Sequence, residues 1–345
     1  MKYRIFNLYE NAPNVLMSRR AHGSLSKLNG AGTSLFRKSP ITILFAFVLG
    51  CAPCAEAQTD LLANELIDRA SQLTPGFMKA DTEEPLRRYK TQALQRAALS
   101  SGYLIDINDT SRHQWFTTEI GTGIPLGNFD NILATTISFR NDALAVPAEN
   151  FDRSDLYELS TSLFFKKQLS PRNNLLLNVQ PGYLGDFEAT SNTFGMFGMA
   201  LVTTQLESYA ITFSYGIVHL NQLKTGILPA LGLRWEPEPE MCIDLRFPES
   251  RISWRLDKKG SLSEHWLHAS IGFDGNRWGI RKPDGRDEEI RLKYWAATLT
   301  LDKRVDGGGG WWIHLSHQFA RRFMVNHEDD LRLGNGFQLA AELAY

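Results

Sequence analysis

Cysteine is scarce in this chain: three in 345 residues, at positions 51, 54 and 242. Cys51 and Cys54 lie in or beside a candidate export signal, so cleavage after Ala57 leaves Cys242 alone and excludes an intrachain disulfide. No Cys/His cluster has zinc-site spacing, so no metal or other cofactor is expected. Charge of one sign is lacking too. Lys plus Arg number 37 against 38 Asp plus Glu, which gives no basic bias toward nucleic acid. Long apolar runs are the third absence. After the signal, no stretch approaches about eighteen apolar residues, so any membrane-inserted form must be a closed barrel and not a helix.

What is present begins with that signal. Arg37 and Lys38 precede the apolar run Ile41 to Cys51, and Ala55-Glu56-Ala57 offers a small-x-small cleavage site before Gln58. The run is about eleven residues where a spanning helix needs about twenty, so cleavage is expected and not anchoring. Residues 1–36 read as a long n-region or an upstream start, with Met17 as an alternative start. Val48-Leu49-Gly50-Cys51 loosely resembles a lipoprotein box, although Leu49 fits poorly beside the glycine. Three regions follow: 1–57 as extension and signal peptide, 58–100 as a periplasmic leader, and 101–345 as a β domain. In the leader, Leu61, Leu62, Leu66, Ile67, Leu86, Leu94 and Ala97 recur at helical spacing, broken at Thr74-Pro75-Gly76. Two short amphipathic helices are expected there, acting as a plug, a docking arm or a plain linker.

From 101 onward a period of two dominates. Phe116, Ile120 and Ile124 alternate with Glu119, Gly121 and Gly123; Leu159 and Leu163 alternate with Glu158 and Ser160; Phe213, Tyr215 and Ile217 alternate with Thr212, Ser214 and Gly216. Later windows are Leu231 to Trp235, Met241 to Phe247, Ile252 to Leu256, Leu267 to Phe273, Ile290 to Tyr294, and Ile313 to Phe319. The last strand carries Phe337, Leu339, Ala341, Leu343 and Tyr345 on one face. An aromatic carboxy-terminus on such a strand is the form of an outer-membrane assembly signal, with Phe337, Leu339, Leu343 and Tyr345 read by the barrel-assembly machinery. The predicted fold is all-β: a closed antiparallel up-and-down transmembrane barrel of about twelve strands, range twelve to fourteen, behind a short helical leader. Gly102–Asn108 and Phe197–Leu201 are marginal windows that would raise the count to fourteen.

With large apolar residues toward lipid, the opposite face carries Glu158, Lys166, Arg234, Asp244, Arg246, Arg251, Arg255, Arg291, Lys293 and Glu342. A charge facing lipid at mid-membrane costs roughly 2 to 4 kcal/mol, so these residues are expected in the lumen. Arg234, Arg246, Arg251 and Arg255 form a basic ladder with Asp244 as a partner, read as a stripe for small anionic solutes or as a salt-bridged filling. Tyr183, Trp235, Trp254, Trp295, Trp311 and Tyr345 stand where interfacial girdles belong.

Leu228-Pro229-Ala230-Leu231-Gly232-Leu233-Arg234-Trp235-Glu236-Pro237, then Asp244-Leu245-Arg246-Phe247-Pro248 and Arg251-Ile252-Ser253-Trp254-Arg255-Leu256, resembles an uncharacterised family of bacterial outer-membrane β-barrel domains. Val179-Gln180-Pro181-Gly182-Tyr183-Leu184-Gly185-Asp186-Phe187 looks like another of its segments. The resemblance implies a barrel in the outer membrane and no catalytic residues to carry over.

An enzyme is not expected. His314 and Ser316 are the weak catalytic candidates, two residues apart on one strand face and similar to the His/Ser pair of barrel lipid hydrolases. They fall opposite Ile313 and Leu315, toward the lumen, and no third carboxylate is identifiable from spacing. The expected function is a structural or passively solute-passing barrel among outer-membrane lipid. The alternatives are a surface interaction barrel working through loops 141–154, 275–289 and 324–335, the lipid hydrolase, and a soluble secreted sandwich.

Overall fold

The computed structural model describes residues 86–87, 90, 92–107, 111–147, 151, 155–206, 210–219, 227–246, 248–326 and 329–345. The export signal, the lipoprotein-like box and most of the 58–100 leader lie outside the described residues.

The strand segments, in chain order, are β1 (Leu94–Asp106), β2 (Arg112–Leu126), β3 (Asn128–Ala145), β4 (Asp155–Ser170), β5 (Asn173–Gly185), β6 (Phe194–Leu206), β7 (Ile211–His219), β8 (Ile227–Glu238), β9 (Met241–Arg246), β10 (Glu249–Lys259), β11 (Ser263–Arg281), β12 (Asp287–Val305), β13 (Gly310–Val325), β14 (Asp329–Arg332) and β15 (Gly336–Ala344). Each of β1 to β12 pairs antiparallel with its successor. β13 then pairs with β14 over Arg322–Val325 and with β15 over Gly310–Gln318, and β15 pairs back to β1 from Ala98↔Ala344 to Asp106↔Gly336. β14 and β15 therefore make one stave in two pieces, and the ring is a closed antiparallel barrel of 14 staves.

The count stands at the upper end of the expected range because both marginal windows are strands. Their alternation is weak for identifiable reasons. Inside β1 the lumen positions Ala98, Ser100 and Gly102 are small, since a Cβ on Gly102 would lie 2.6 Å from the Trp115 indole. In β6 both faces are apolar: Phe197, Met199 and Leu201 are buried inward while Phe194 and Met196 are exposed. The described residues contain no helix, and Leu94 and Ala97, expected on a helical face, belong to β1.

Alternation sets the wall. Leu99, Ile105, Phe116, Ile120, Ile137, Leu159, Leu163, Phe213, Ile217, Leu231, Leu299, Ile313, Leu315, Leu339 and Leu343 are all exposed on the outer face. Full burial of one such side chain is worth about 1.5 to 3 kcal/mol, so a continuous belt left in water would forgo tens of kcal/mol, against a net stability of about 5 to 15 kcal/mol. The belt is a lipid-facing surface. The termini of the barrel and short turns such as 171–172, 239–240 and 260–262 share one rim, the turn rim, while most of the longer connections share the other, the loop rim. Trp235, Trp254 and Tyr345 are exposed near the turn rim, in the position of an interfacial girdle.

One phase expectation is reversed. Ile290, Leu292 and Tyr294, read as lipid-facing, are 0%, 1% and 6% exposed and belong to the interior apolar cluster. β11 and β12 pair without interruption from Ser263↔Val305 to Arg281↔Asp287, so Arg291 and Lys293 share the outward face of the exposed Leu299 and Leu301. The two cations are not in the lumen.

Candidate functional site: the lumen and its covered mouth

The lumen of the described barrel is filled by side chains. Lys166, Arg321, Trp278 and Trp312 are among its largest fully buried groups. At the seam between first and last staves, Arg96 donates to Glu119 on β2 and Glu342 on β15, both at 2.8 Å. Toward the loop rim, Asp142 accepts from Arg140 at 2.8 Å and meets His113 at 2.8 Å, with the Arg140 guanidinium 4.7 Å from the centre of the Trp115 ring. Nearby, Arg321 bonds Asp106 at 3.0 Å and Tyr294 donates to Asp274 at 2.9 Å.

The expected lumen charges can now be placed. Glu158, Lys166 and Glu342 are buried on the inner face, as are Arg234, Asp244 and Arg246. Arg251 opposes Ser270 and Arg255 opposes Trp266, again inward. The ladder is matched by acids: Arg246 with Asp244, Arg234 with Glu236 at 2.8 Å, Arg251 with Glu249 at 3.5 Å, and Arg255 with Glu240 at 2.8 Å. Only Asp244 was singled out from the sequence. The others were missed because Glu236 and Glu249 lie two residues from their arginines and Glu240 sits in the β8–β9 turn. The signal that could have found two of them is the i, i+2 spacing of opposite charges on one strand face.

His314 and Ser316 face inward and are 1% and 2% exposed. Ser316 Oγ is engaged with Thr298 Oγ1 at 2.9 Å, and the His314 ring stacks on Trp312 at 4.6 Å. A different serine approaches a histidine: Ser253 Oγ lies 2.8 Å from His268 Nδ1, and His268 Nε2 lies 3.5 Å from Asp302. These three come from β10, β11 and β12, so no sequence spacing reveals them. Asp302 accepts a 2.9 Å hydrogen bond from Arg304, and the His268 ring is parallel to Trp266 at 6.3 Å, features of polar packing within the wall.

The loop rim holds the feature the sequence did not announce. β10 begins at Glu249 opposite Gly272, so β11 continues beyond its neighbour with only β12 beside it. The overhanging hairpin reaches β5, six staves away around the ring, where Gly279 pairs with Gly185. Such a contact requires the hairpin to cross the mouth. Both glycines are demanded by closeness: a Cβ on Gly185 would lie 2.6 Å from the Gly279 carbonyl oxygen, and one on Gly279 would lie 2.8 Å from that of Ser191.

Polar bonds fasten the crossing. Asp287 accepts from the Thr190 and Ser191 backbone N–H groups, both at 2.8 Å, and from Arg281 at 2.9 Å. The Arg281 backbone N–H donates to Asp186 at 2.7 Å, and Arg277 donates to the Phe194 carbonyl at 2.6 Å. Below, Trp278, Ile280, Ile290 and Leu292 join Leu144, Leu156, Leu184, Phe197 and Met199 in one apolar cluster. The 275–289 segment, expected as an exposed loop, is therefore mostly paired and inward-packed strand, with a turn only at 282–286.

No family model and no curated protein matches the chain. Solved structures with a similar course include LpxR from Salmonella typhimurium, at 9% identity over 72% of this chain and 99% of that one, TM-score 0.34. The beta domain of the Bordetella autotransporter BrkA gives 10% identity over 74% and 100%, TM-score 0.31, and a mutant porin of Rh. blastica gives 6% over 73% and 100%, TM-score 0.30. At those scores the likeness adds nothing to the site, and the fold stands on the strand register above.

Proposed function

We propose that this protein is an outer-membrane barrel closed at rest, a gated passage for small solutes whose gate is the β11–β12 hairpin. The supporting observation is the hairpin seated across the loop rim, with Gly279 on Gly185 and an apolar cluster beneath. Passage requires the hairpin to lift, because Trp278 and Ile290 on its underside are both 0% exposed, and requires the side chains that fill the lumen below, Lys166 and Trp312 among them, to move aside. Since the ladder arginines are matched by acids, the passage discriminates weakly between anions and cations. Export and insertion follow the expected signal and the β15 strand, whose register closes the ring on β1. His314 and Ser316 line the interior without a catalytic role. The interaction-scaffold reading loses surface, because much of 275–289 and 324–335 is strand.

Planar-bilayer conductance tests the gate. Wild-type protein is expected to show rare, brief openings, and Gly279→Val, which cannot seat against Ser191, long ones. A steady open conductance in wild type overturns the proposal. So does an unchanged Gly279→Val record when proteolysis at 282–286 shows the hairpin released.

A further inference from the structure

Charge is segregated inside the barrel. The matched arginines and acids of the ladder line β8 to β10, and the buried Glu264 and Asp302 continue the charged side onto β11 and β12. On the inner face of β3 to β6 the described charges are confined to the two ends: Arg140, Asp142 and Glu158 toward the loop rim, and Lys166 toward the turn rim. Between those ends the polar positions are neutral. β3 brings Thr136 and Ser138, β4 brings Ser160 and Ser162, and β5 brings Asn178 and Gln180, all buried. Four neighbouring staves therefore present an uncharged polar band at mid-lumen, facing the charged side across the barrel.

Hydrogen-bonding capacity is left over in that band. Ser162 Oγ donates to Asn178 Oδ1 at 2.8 Å, and Gln180 Nε2 donates to Ser160 Oγ at 3.0 Å. Each serine fixes one end of an amide. The other ends, a donor at Asn178 Nδ2 and an acceptor at Gln180 Oε1, are buried without a hydrogen-bond partner, and so are the hydroxyls of Thr136, Ser138 and Thr203. A buried polar group left unpaired carries its full desolvation cost, so five of them on neighbouring staves mark a surface that another molecule completes. The flanks indicate which molecule. Asn178 opposes Phe164 on β4 and Met199 on β6, and Gln180 opposes Phe197 on β6, so polar atoms and buried apolar side chains alternate around the band. Water needs polar partners on several sides, which this interleaving denies it. A carboxylate only accepts and an ammonium only donates, whereas a hydroxyl does both and serves the Asn178 donor and the Gln180 acceptor alike. Those two groups are two residues apart on one strand face, roughly 7 Å, the span of a single sugar ring.

We propose that the β3–β6 band is a binding site for a neutral polyhydroxylated solute, a sugar ring whose hydroxyls meet Asn178, Gln180 and the threonine and serine hydroxyls while its C–H faces lie against Phe164 and Phe197. This rests on the passage proposed above and names the class of solute that uses it. The charged side of the lumen then serves to hold the wall, and the neutral side to select.

The test is uptake by liposomes carrying the refolded full chain, as wild type and as Gly279→Val, of three solutes built on one ring: glucose, the cation glucosamine and the anion glucuronate. Each rate is divided by the potassium conductance of the same preparation, so the extent of gate opening cancels. Glucose uptake is expected to saturate and to exceed that of both charged rings about tenfold. Asn178→Leu/Gln180→Leu, which removes the two amide contacts and keeps their bulk, should raise the half-saturating glucose concentration about tenfold and leave the potassium conductance unchanged. Ser316→Ala, on β13, should keep the wild-type preference. Equal normalised rates for the three rings overturn the proposal while leaving the passage intact, a comparison that needs no variant. Glucose uptake that never saturates makes the band a hydrated wall and no site. An undiminished glucose preference in an Asn178→Leu/Gln180→Leu protein that still shows the heat-dependent gel shift removes these amides from the contact. Absence of both conductance and uptake overturns the passage itself, and the solute class with it.

Discussion

The β2–β5 wall and the β11–β12 hairpin are built from the same strand period yet obey different surroundings. Along β2 to β4, Ile120, Ile137 and Leu163 point to lipid while Glu119, Ser138 and Ser162 point inward, so hydropathy and orientation coincide. Along the overhang of β11 and β12, Trp278, Ile280, Ile290 and Leu292 point inward and Arg277, Arg291 and Lys293 outward, so the polarity is inverted. In the wall the apolar solvent is the membrane. In the overhang the apolar environment is the mouth of the barrel itself, and on the opposite face Glu289 holds Arg277 and Arg291. A change of environment along one strand reverses the meaning of an unchanged alternation.

The strongest way to separate the two regions is to break the wall and leave the hairpin sequence intact. Arg96→Met leaves Glu119 and Glu342 buried without their shared cation at the seam where β15 meets β1. Stranding buried charge in this way costs about 3 to 5 kcal/mol. The expected outcome is loss of the unheated, fast-migrating form on detergent gels at temperatures that wild type survives. Gly279→Val, by contrast, should leave that gel behaviour unchanged and alter conductance alone. If both variants lowered the gel transition equally, hairpin and wall would be one cooperative unit and the contrast would fail.

A smaller effect comes from acid. Arg281 first, then the Thr190 and Ser191 N–H groups, hold the Asp287 carboxyl well below the usual carboxylate range. A carboxylate with a depressed folded pKa stabilises the docked hairpin above its unfolded value and loses that contribution as pH falls through the folded one. The lock is therefore full at neutral pH and weakens only below about pH 4, the ordinary aspartate value. Openings should become longer at pH 3 in wild type. Asp287→Asn should show them already at pH 7, with little further change in acid; a wild-type gate equally shut at pH 3 and pH 7 would remove Asp287 from the lock.

Most of the wall was legible because a membrane demands strict alternation, and the β2–β4 and β15 windows state it plainly. β1 and β6 were faint for opposite reasons: too little bulk inside at Gly102, too much on both faces around Phe197. The lumen's acids were half legible, since Glu236 needs only a two-residue step from Arg234 but Glu240 needs the β8–β9 turn to bring it to Arg255. The hairpin's crossing was not legible at all. It depends on β10 ending early and on two distant glycines meeting, and neither is a property of any local window.

The smallest expected effect concerns the pair that sequence alone made look chemical. Ser316→Ala removes one hydrogen bond with Thr298 in an otherwise packed interior, which predicts a loss of about 0.5 to 1.5 kcal/mol and a slight fall in the gel transition. It predicts no change in the acyl composition of membrane lipid when the protein is overproduced, measured by mass spectrometry of extracted lipid. The reasoning is positional: Ser316 is 2% exposed on the inner face, while Ile313 and Leu315 between it and the bilayer present only hydrocarbon outward. A lipid carbonyl would have to pass through the wall to reach the hydroxyl. Deacylation by wild type that disappears in Ser316→Ala would mean that the β12–β13 wall opens sideways, and it would make this stretch, like the overhang above it, a place where alternation misstates what the outer face meets.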